Sequence, residues 1–133
     1  MPAARSDPAD ISPALLLRGV AKAVPGGRQL FSGLDLEVAA GEIVAIMGES
    51  GVGKSTLLNI IAGLDGIDAG SLTIAGRGLA GLDDDARTLL RRDSIGFVFQ
   101  AFHILPHLTL AQNIALPLLL ARQPAAPALA RAG

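Results

Sequence analysis

The sequence predicts an α/β fold in which an antiparallel β region leads into a buried core strand, a glycine-rich loop and a helix. Two strand-like segments, residues 14–24 and 28–38, flank the turn-forming letters "PGG", and this arrangement predicts an antiparallel hairpin. The segment "EIVAIM" (42–47) is almost continuously apolar, which is typical of a strand buried on both faces. A loop with three glycines and a helical pattern follow at once.

The remaining pattern alternates between helices and strands. The helix after the loop is expected to end near Gly63, and residues 71–76 read as a strand. Residues 83–92 predict a helix with acids at its start and arginines at its end, which the helix dipole favours. We prefer a solvated helix to an acidic metal site there. Residues 94–100 predict a second core strand. The inward face of the first helix is expected to carry Leu57, Leu58, Ile60 and Ile61.

The chain divides into three parts by composition. Residues 1–13 contain three prolines and predict a disordered lead-in. Residues 14–120 contain all the periodic segments and are expected to fold. Residues 121–133 form a tail rich in alanine and proline with no apolar period.

Composition excludes several classes of function. The chain has 133 residues, half of them apolar, which suits one domain or a part of one. Its 11 basic and 12 acidic side chains give a net charge of −1, so no global field attracts nucleic acid or anionic lipid. The absence of cysteine excludes disulfides, thiol catalysis and cysteine-based metal sites.

Two apolar stretches could be mistaken for membrane or targeting segments. Residues 108–121 include Gln112, Asn113 and Pro117, and the stretch is shorter than the roughly 20 apolar residues that a membrane span needs. Residues 11–23 are interrupted by Arg18 and Lys22, so a strand is favoured over a signal peptide. We therefore expect no direct membrane span.

The glycine-rich loop carries the most specific motif. Gly48, Gly53, Lys54 and Ser55 match the pattern G-x-x-x-x-G-K-[ST], with Gly51 as an additional loop glycine. Glycines let successive backbone N–H groups turn towards an anion, and the helix that follows adds the positive end of its dipole. The alternative, a glycine-rich surface turn beside an ordinary helix, is disfavoured by the apolar strand before the loop and the helix after it.

This motif predicts a phosphate site in which each side chain has a separate task. Lys54 is expected to reach the β- and γ-phosphates of a nucleotide, and the Ser55 hydroxyl to hold Mg²⁺. Thr56 is a further donor to the α-phosphate. Glu49 is expected to be a solvent-facing spacer, because a carboxylate that faced the ligand would repel it. The predicted binding residues are Gly48, Glu49, Ser50, Gly51, Val52, Gly53, Lys54, Ser55 and Thr56.

The sequence gives weaker evidence for a functional role at other positions. His103 and His107 are separated by a proline, which argues against a helical metal-binding pair and favours loop residues. Asp65 follows the loop lysine too closely for a helix and a second strand to lie between them. Phe97 and Phe99 alternate in the predicted strand and are expected in the core rather than on a base.

Two stretches resemble the ATP-binding subunits of ABC transporters. "MGESGVGKSTLLNIIAGLDGIDAGSLTIAG" is similar to the start of such a subunit, and "RRDSIGFVFQAFHILPHLTLAQNIALPLLL" resembles its Q-loop and the entry to its helical subdomain. The likeness spans roughly residues 14–120 and is strongest to subunits that partner lipoprotein-releasing and macrolide-exporting permeases. It implies a P-loop NTPase core of the ABC type with an N-terminal antiparallel β subdomain, incomplete at the C-terminus.

The resemblance also implies a reaction and partners. ATP and Mg²⁺ would be the cofactors, with Lys54 and Gln100 in catalytic roles and Ser55 and Gln100 near the metal. Gln100 would link the γ-phosphate to a transmembrane permease subunit, and residues 102–108 would lie near that partner. A homodimer of the full-length subunit is implied, in the cytoplasm at the inner face of the inner membrane. No nucleic-acid partner is expected.

Two departures from the family qualify these expectations. The position of the usual adenine-stacking aromatic ring falls at about Val24, and the chain has no Tyr or Trp. The family's signature sequence, second acidic strand and catalytic glutamate do not appear after Gln100. We therefore expect residues 1–133 alone to bind nucleotide weakly and not to hydrolyse it, because no general base is present.

The sequence leaves two other classes of function open. One is a truncated, non-hydrolysing nucleotide-binding module. The other is a different phosphate-loop class, such as a GTPase or a DNA-repair ATPase. The sequence has no N-K-x-D-like motif for reading guanine and no basic face for DNA, so the transporter class is favoured.

Overall fold

A computed structural model describes residues 12–101, 103–122 and 124–132. The chain divides into two compact units, residues 1–87 and 88–133. The predicted disordered lead-in lies outside the described residues, except for positions 12 and 13, which have no regular structure.

The first unit contains a four-stranded antiparallel sheet. Its strands are β1 (Leu15–Ala23), β2 (Gln29–Val38), β3 (Ala69–Ile74) and β4 (Arg77–Gly78), in the order β2-β1-β3-β4. The predicted hairpin is confirmed, and its turn is closed by the Gly27 N–H, which donates to the Val24 carbonyl at 3.0 Å. The predicted strand at 71–76 is confirmed as β3.

The central strand β1 is in register with apolar residues on both sides. Leu17 lies opposite Leu36 of β2 and Leu72 of β3. Because alternate residues of a strand face the same side, this register collects branched side chains on one face. The buried apolar side chains of the first unit come from the sheet and the first helix: Leu17, Val20, Leu57, Ile60, Ala62, Leu72 and Ile74.

Helix α1 (Lys54–Ile61) follows the glycine-rich loop and ends where the sequence predicts. Gly63 has a φ of 73°, its N–H donates to the Ile60 carbonyl at 3.0 Å, and the Leu64 N–H donates to the Asn59 carbonyl at 2.8 Å. These two bonds form a Schellman motif, which requires a left-handed residue after the helix and so favours glycine. The predicted inward face is only partly right, since Leu57 and Ile60 are buried but Leu58 is 45% exposed.

Three more helices follow: α2 (Asp84–Ser94), α3 (Leu110–Leu120) and α4 (Ala125–Ala132). Helix α2 confirms the charged helix predicted at 83–92, and the Asp83 carboxylate caps it by accepting from the Ala86 N–H at 2.8 Å. Helices α3 and α4 pack together and bury Ala115 and Ala128. The tail, for which the sequence pattern predicted no element, therefore forms a helix.

The two predicted core strands are wrong for this chain. Residues 42–47 and 95–99 have no strand pairing, and Ile43 and Val98 are each 96% exposed. A parallel strand obtains its hydrogen bonds from neighbours that are distant in sequence, and neither segment has such a neighbour among the described residues. Strand-like composition alone does not produce a strand without a partner.

Candidate functional site

The glycine-rich loop lies between the extended segment 42–47 and α1. Residues 48–52 are exposed, and Gly53 is the N-cap of α1 with φ 112° and ψ 13°. The first hydrogen bond of the helix runs from the Leu57 N–H to the Gly53 carbonyl at 2.8 Å. The N–H groups of residues 54–56 therefore have no acceptor within the helix, which is the arrangement that favours an anion at a helix N-terminus.

The side chain of Lys54 folds back over the loop. Its ammonium group donates to the Gly48 carbonyl and, at 2.6 Å, to the Glu49 carbonyl. A positive charge is thus held against the first two loop residues by backbone oxygens rather than by a carboxylate. Because no carboxylate of the described residues forms an ion pair with this ammonium, its charge is available to an anionic ligand.

The two hydroxyl residues follow the lysine in the first turn of α1. Ser55 is exposed and Thr56 is half-buried. Glu49 is exposed, as expected for a solvent-facing spacer, and its contribution to the loop is its backbone carbonyl. Residues 48–56, which make up the whole predicted phosphate site, thus run consecutively from the loop into the first turn of α1.

Strand β2 lies close to the glycine-rich loop at Gly53. A Cβ atom added to Gly53 would lie 3.3 Å from the Leu30 Cβ atom and 3.3 Å from the Phe31 Cε1 atom. The loop backbone therefore comes close to the aromatic ring at a point where any larger residue would crowd it. The sequence analysis did not single out Phe31, and only the fold shows that it touches the loop.

The other residues proposed for the nucleotide are placed differently. Val24 is half-buried and directly follows β1, in the same unit as the loop. Gln100 is exposed and belongs to the second unit. Phe102, the first residue of the segment proposed to lie near a permease, is outside the described residues.

Phe97, Phe99 and His103 form a local aromatic cluster. The Phe97 and Phe99 ring centroids are 4.5 Å apart, and Phe99 and His103 are separated by the same distance. Phe99 is 44% exposed, so the expectation that it is a core residue is wrong, for the same reason that its strand does not form. His103 and His107 lie outside the helices, as predicted. In the described part of the chain, no group of three or more potential metal ligands comes together.

Asp65 has a role that the sequence analysis did not identify. Its carboxylate accepts from the Lys22 ammonium at 2.8 Å and from the Gly66 N–H at 2.7 Å. The hydrogen bond from Lys22 lowers the pKa of Asp65, burial opposes this, and the Gly66 N–H lowers the pKa further. The pair links β1 to the loop after α1 across 43 positions of sequence, so no local pattern could have revealed it.

Asn113 was also missed. Its amide nitrogen, which carries two hydrogens, lies within hydrogen-bond distance of the carbonyls of Leu105, Leu108 and Thr109 at 3.2, 3.3 and 3.0 Å. Its oxygen accepts from the Leu105 N–H at 2.9 Å. The neighbouring capping box joins Thr109 and Gln112. The T-x-x-Q spacing could have predicted this cap from the sequence.

No helix in the described ranges combines the length and the apolar character that a membrane crossing requires.

Comparison with known proteins identifies the family. The sequence model described as "ABC transporter" matches residues 31–133. The chain is 44% identical over 110 residues to the macrolide export ATP-binding/permease protein MacB of Shigella flexneri, covering 80% of this chain but 17% of that relative. It therefore spans about a sixth of the curated relatives that it matches.

Solved structures confirm the fold class. The ATP-binding cassette MJ0796, solved as a dimer in a post-hydrolysis state with ADP and Pi, is 40% identical with a TM-score of 0.82, over 89% of this chain and 53% of that one. The cbiO1 protein of Clostridium perfringens, at 24% identity and a TM-score of 0.75, shares the fold over 90% of this chain and 47% of its own. The chain belongs to the ABC transporter family and carries part of its ATP-binding domain.

Proposed function

We propose that residues 48–56 bind the phosphates of ATP with Mg²⁺, and that the protein to which this domain belongs couples ATP hydrolysis to export or membrane extraction by a transmembrane permease. The observation that carries the proposal is the Lys54 ammonium, held on the Gly48 and Glu49 carbonyls beside the free N–H groups at the start of α1. A lysine, a helix N-terminus and a glycine-rich backbone together suit a polyphosphate.

We propose a separate role for each of three residues, Lys54, Ser55 and Gln100. Lys54 is placed to move from loop carbonyls to phosphate oxygens, which are stronger acceptors because they are charged. Ser55 supplies a hydroxyl for the metal, and Mg²⁺ bound there would neutralise charge on the phosphates. We propose that Gln100 orients the attacking water and helps to bind Mg²⁺ in the assembled site.

The proposed partners follow from the relatives. MacB is named as an ATP-binding/permease protein and the MJ0796 cassette was solved as a dimer, which supports a permease partner and a homodimer of the complete domain. We propose that this partner holds the domain at the cytoplasmic face of the inner membrane. The transport direction is proposed from the export function in the name of MacB.

The binding proposal is tested by titrating the chain with a fluorescent ATP analogue in the presence of Mg²⁺. We expect Lys54→Met to lower the affinity at least about tenfold, since hydrogen bonds to charged groups are the stronger ones. Arg28→Met is the matched control, because Arg28 is an exposed cation in the β1–β2 turn. Equal affinities in the wild type and both variants would refute the assignment of Lys54.

The catalytic part of the proposal concerns the 133-residue polypeptide by itself. Its described residues supply a proposed phosphate cradle, a lysine, a hydroxyl for the metal and a glutamine, but none of them is placed as a general base. We therefore propose that the isolated polypeptide acts as a non-hydrolysing nucleotide-binding module. Phosphate release that depends on Lys54 would contradict this, and a colorimetric phosphate assay detects it.

A further inference from the structure

The first unit contains a cavity of about 440 Å³ that shares no residue with the glycine-rich loop. Its apolar walls come from α1, the loop after it, β3 and the segment after β4, through Ile60, Ile67, Leu72 and Leu79. This volume lies in the range of about 300–1,000 Å³ that is usual for small-molecule sites.

One side chain that lines the cavity has a buried hydrogen-bond donor without an acceptor. The Nε atom of Arg87 is buried and has no hydrogen-bond partner, and the Arg87 guanidinium forms no ion pair with any carboxylate of the described residues. Burying a charged donor without an acceptor is unfavourable. The site therefore favours an occupant that brings an acceptor.

The acids in the cavity wall do not supply that acceptor. Asp65 is engaged by the Lys22 ammonium and the Gly66 N–H. Asp68 accepts from the Ala23 N–H at 2.7 Å. Both carboxylates are thus held by other donors, and Arg87 is the cation in the wall that remains uncompensated.

We propose that this cavity is a second ligand site that binds a small amphiphilic carboxylate, with the carboxylate accepting from Arg87 and the hydrocarbon part packing against the apolar walls. A guanidinium has a planar fork of donors that matches a carboxylate. The four apolar wall residues give the hydrocarbon part its driving force. The inference is independent of the proposed nucleotide site, because none of residues 48–56 lines the cavity.

The test uses the ¹⁵N-labelled chain, in which the arginine Nε–H group can be observed directly by NMR. The probe is octanoate, compared with octanol, octylammonium and acetate. We expect octanoate to shift the Arg87 Nε–H signal and the amide signals of Ile67 and Leu79, and to bind at least about tenfold more tightly than the three comparison compounds.

Substitutions distinguish the contribution of the Arg87 charge to the affinity from the contribution of the apolar walls. Arg87→Met should lower octanoate affinity about tenfold and leave octanol affinity nearly unchanged. Arg77→Met, at an exposed arginine of β4, should leave octanoate affinity unchanged. If Arg87→Met does not fold, the affinities of the wild-type chain for the four probes still test whether the site selects a carboxylate.

Three results would overturn the proposal. Octanol or octylammonium binding as tightly as octanoate would show that Arg87 does not select a carboxylate. Acetate binding as tightly as octanoate would show that the apolar walls contribute nothing to the affinity. Octanoate shifts confined to residues outside the cavity would show that the cavity is not the site. A failure of ATP to bind would leave this inference intact.

Discussion

Replacing Gly53 by alanine tests whether β2 positions the glycine-rich loop. Gly53 has a φ of 112°, and L-residues in left-handed conformations lose about 1–2 kcal/mol. The new Cβ atom would lie 3.3 Å from Leu30 Cβ, 3.3 Å from Phe31 Cε1 and 3.4 Å from Phe31 Cδ1. These distances are shorter than the roughly 3.5–4.0 Å of favourable carbon contacts, and overpacking adds about 1–3 kcal/mol. We expect a total loss of about 2–5 kcal/mol in the free energy of unfolding.

Gly51→Ala is the matched control for backbone strain. Gly51 has a φ of 80°, and an added Cβ would meet nothing within 4 Å. This variant should therefore lose only the strain contribution of about 1–2 kcal/mol. Because the chain contains no Tyr or Trp, unfolding in urea is followed by far-ultraviolet circular dichroism.

The Phe31→Ala/Gly53→Ala double variant isolates the contact with the ring. Removing the ring takes away two of the three close contacts, so the two substitutions should cost less together than the sum of their separate effects. The reasoning is refuted if Gly53→Ala costs no more than Gly51→Ala, or if the double variant is strictly additive.

Two further predictions concern one side-chain contact in each unit. Because Lys22 lowers the pKa of Asp65, this carboxylate stabilises the fold above its unfolded pKa of about 3.9, and the stabilisation disappears as pH falls through its lowered folded value. Asp65→Asn and Lys22→Met should each reduce this acid-side slope in urea unfolding measured from pH 6 to pH 2, and an unchanged slope would refute the pairing. Asn113→Ala removes the side-chain hydrogen bonds that hold residues 105–109 to α3. It should therefore cost about 1–3 kcal/mol and speed amide hydrogen exchange at Leu105. Unaltered exchange there would contradict the assignment.

Local sequence signals predicted the elements whose causes are local. The turn letters "PGG" predicted the β1–β2 hairpin, and Gly63 predicted the end of α1, because turns and helix ends depend on the conformations of a few neighbouring residues. The acids and arginines of residues 83–92 predicted α2 in the same way. The T-x-x-Q cap of α3 was also available from local sequence.

Patterns that depend on distant partners were less informative. Residues 42–47 and 94–100 have the composition of buried strands, but strand formation requires neighbours, and the described residues provide none. Leu58 fits the apolar face of a short helix, yet it is exposed because burial is decided by what packs against that face.

The sequence by itself determined the family of the protein and predicted the phosphate loop, because the motif needs particular residue types at fixed spacing along the chain. Only the tertiary structure could show that Lys54 lies on the Gly48 and Glu49 carbonyls and that Phe31 touches Gly53. The same holds for the Lys22–Asp65 ion pair and for the unpartnered Nε atom of Arg87. The Phe31–Gly53 and Lys22–Asp65 contacts join residues that are far apart in sequence. The state of the Arg87 Nε atom depends on burial, which is a property of the packed fold rather than of any segment. The Lys54 contacts are local, but they depend on how the side chain folds back over the loop, which residue spacing does not fix.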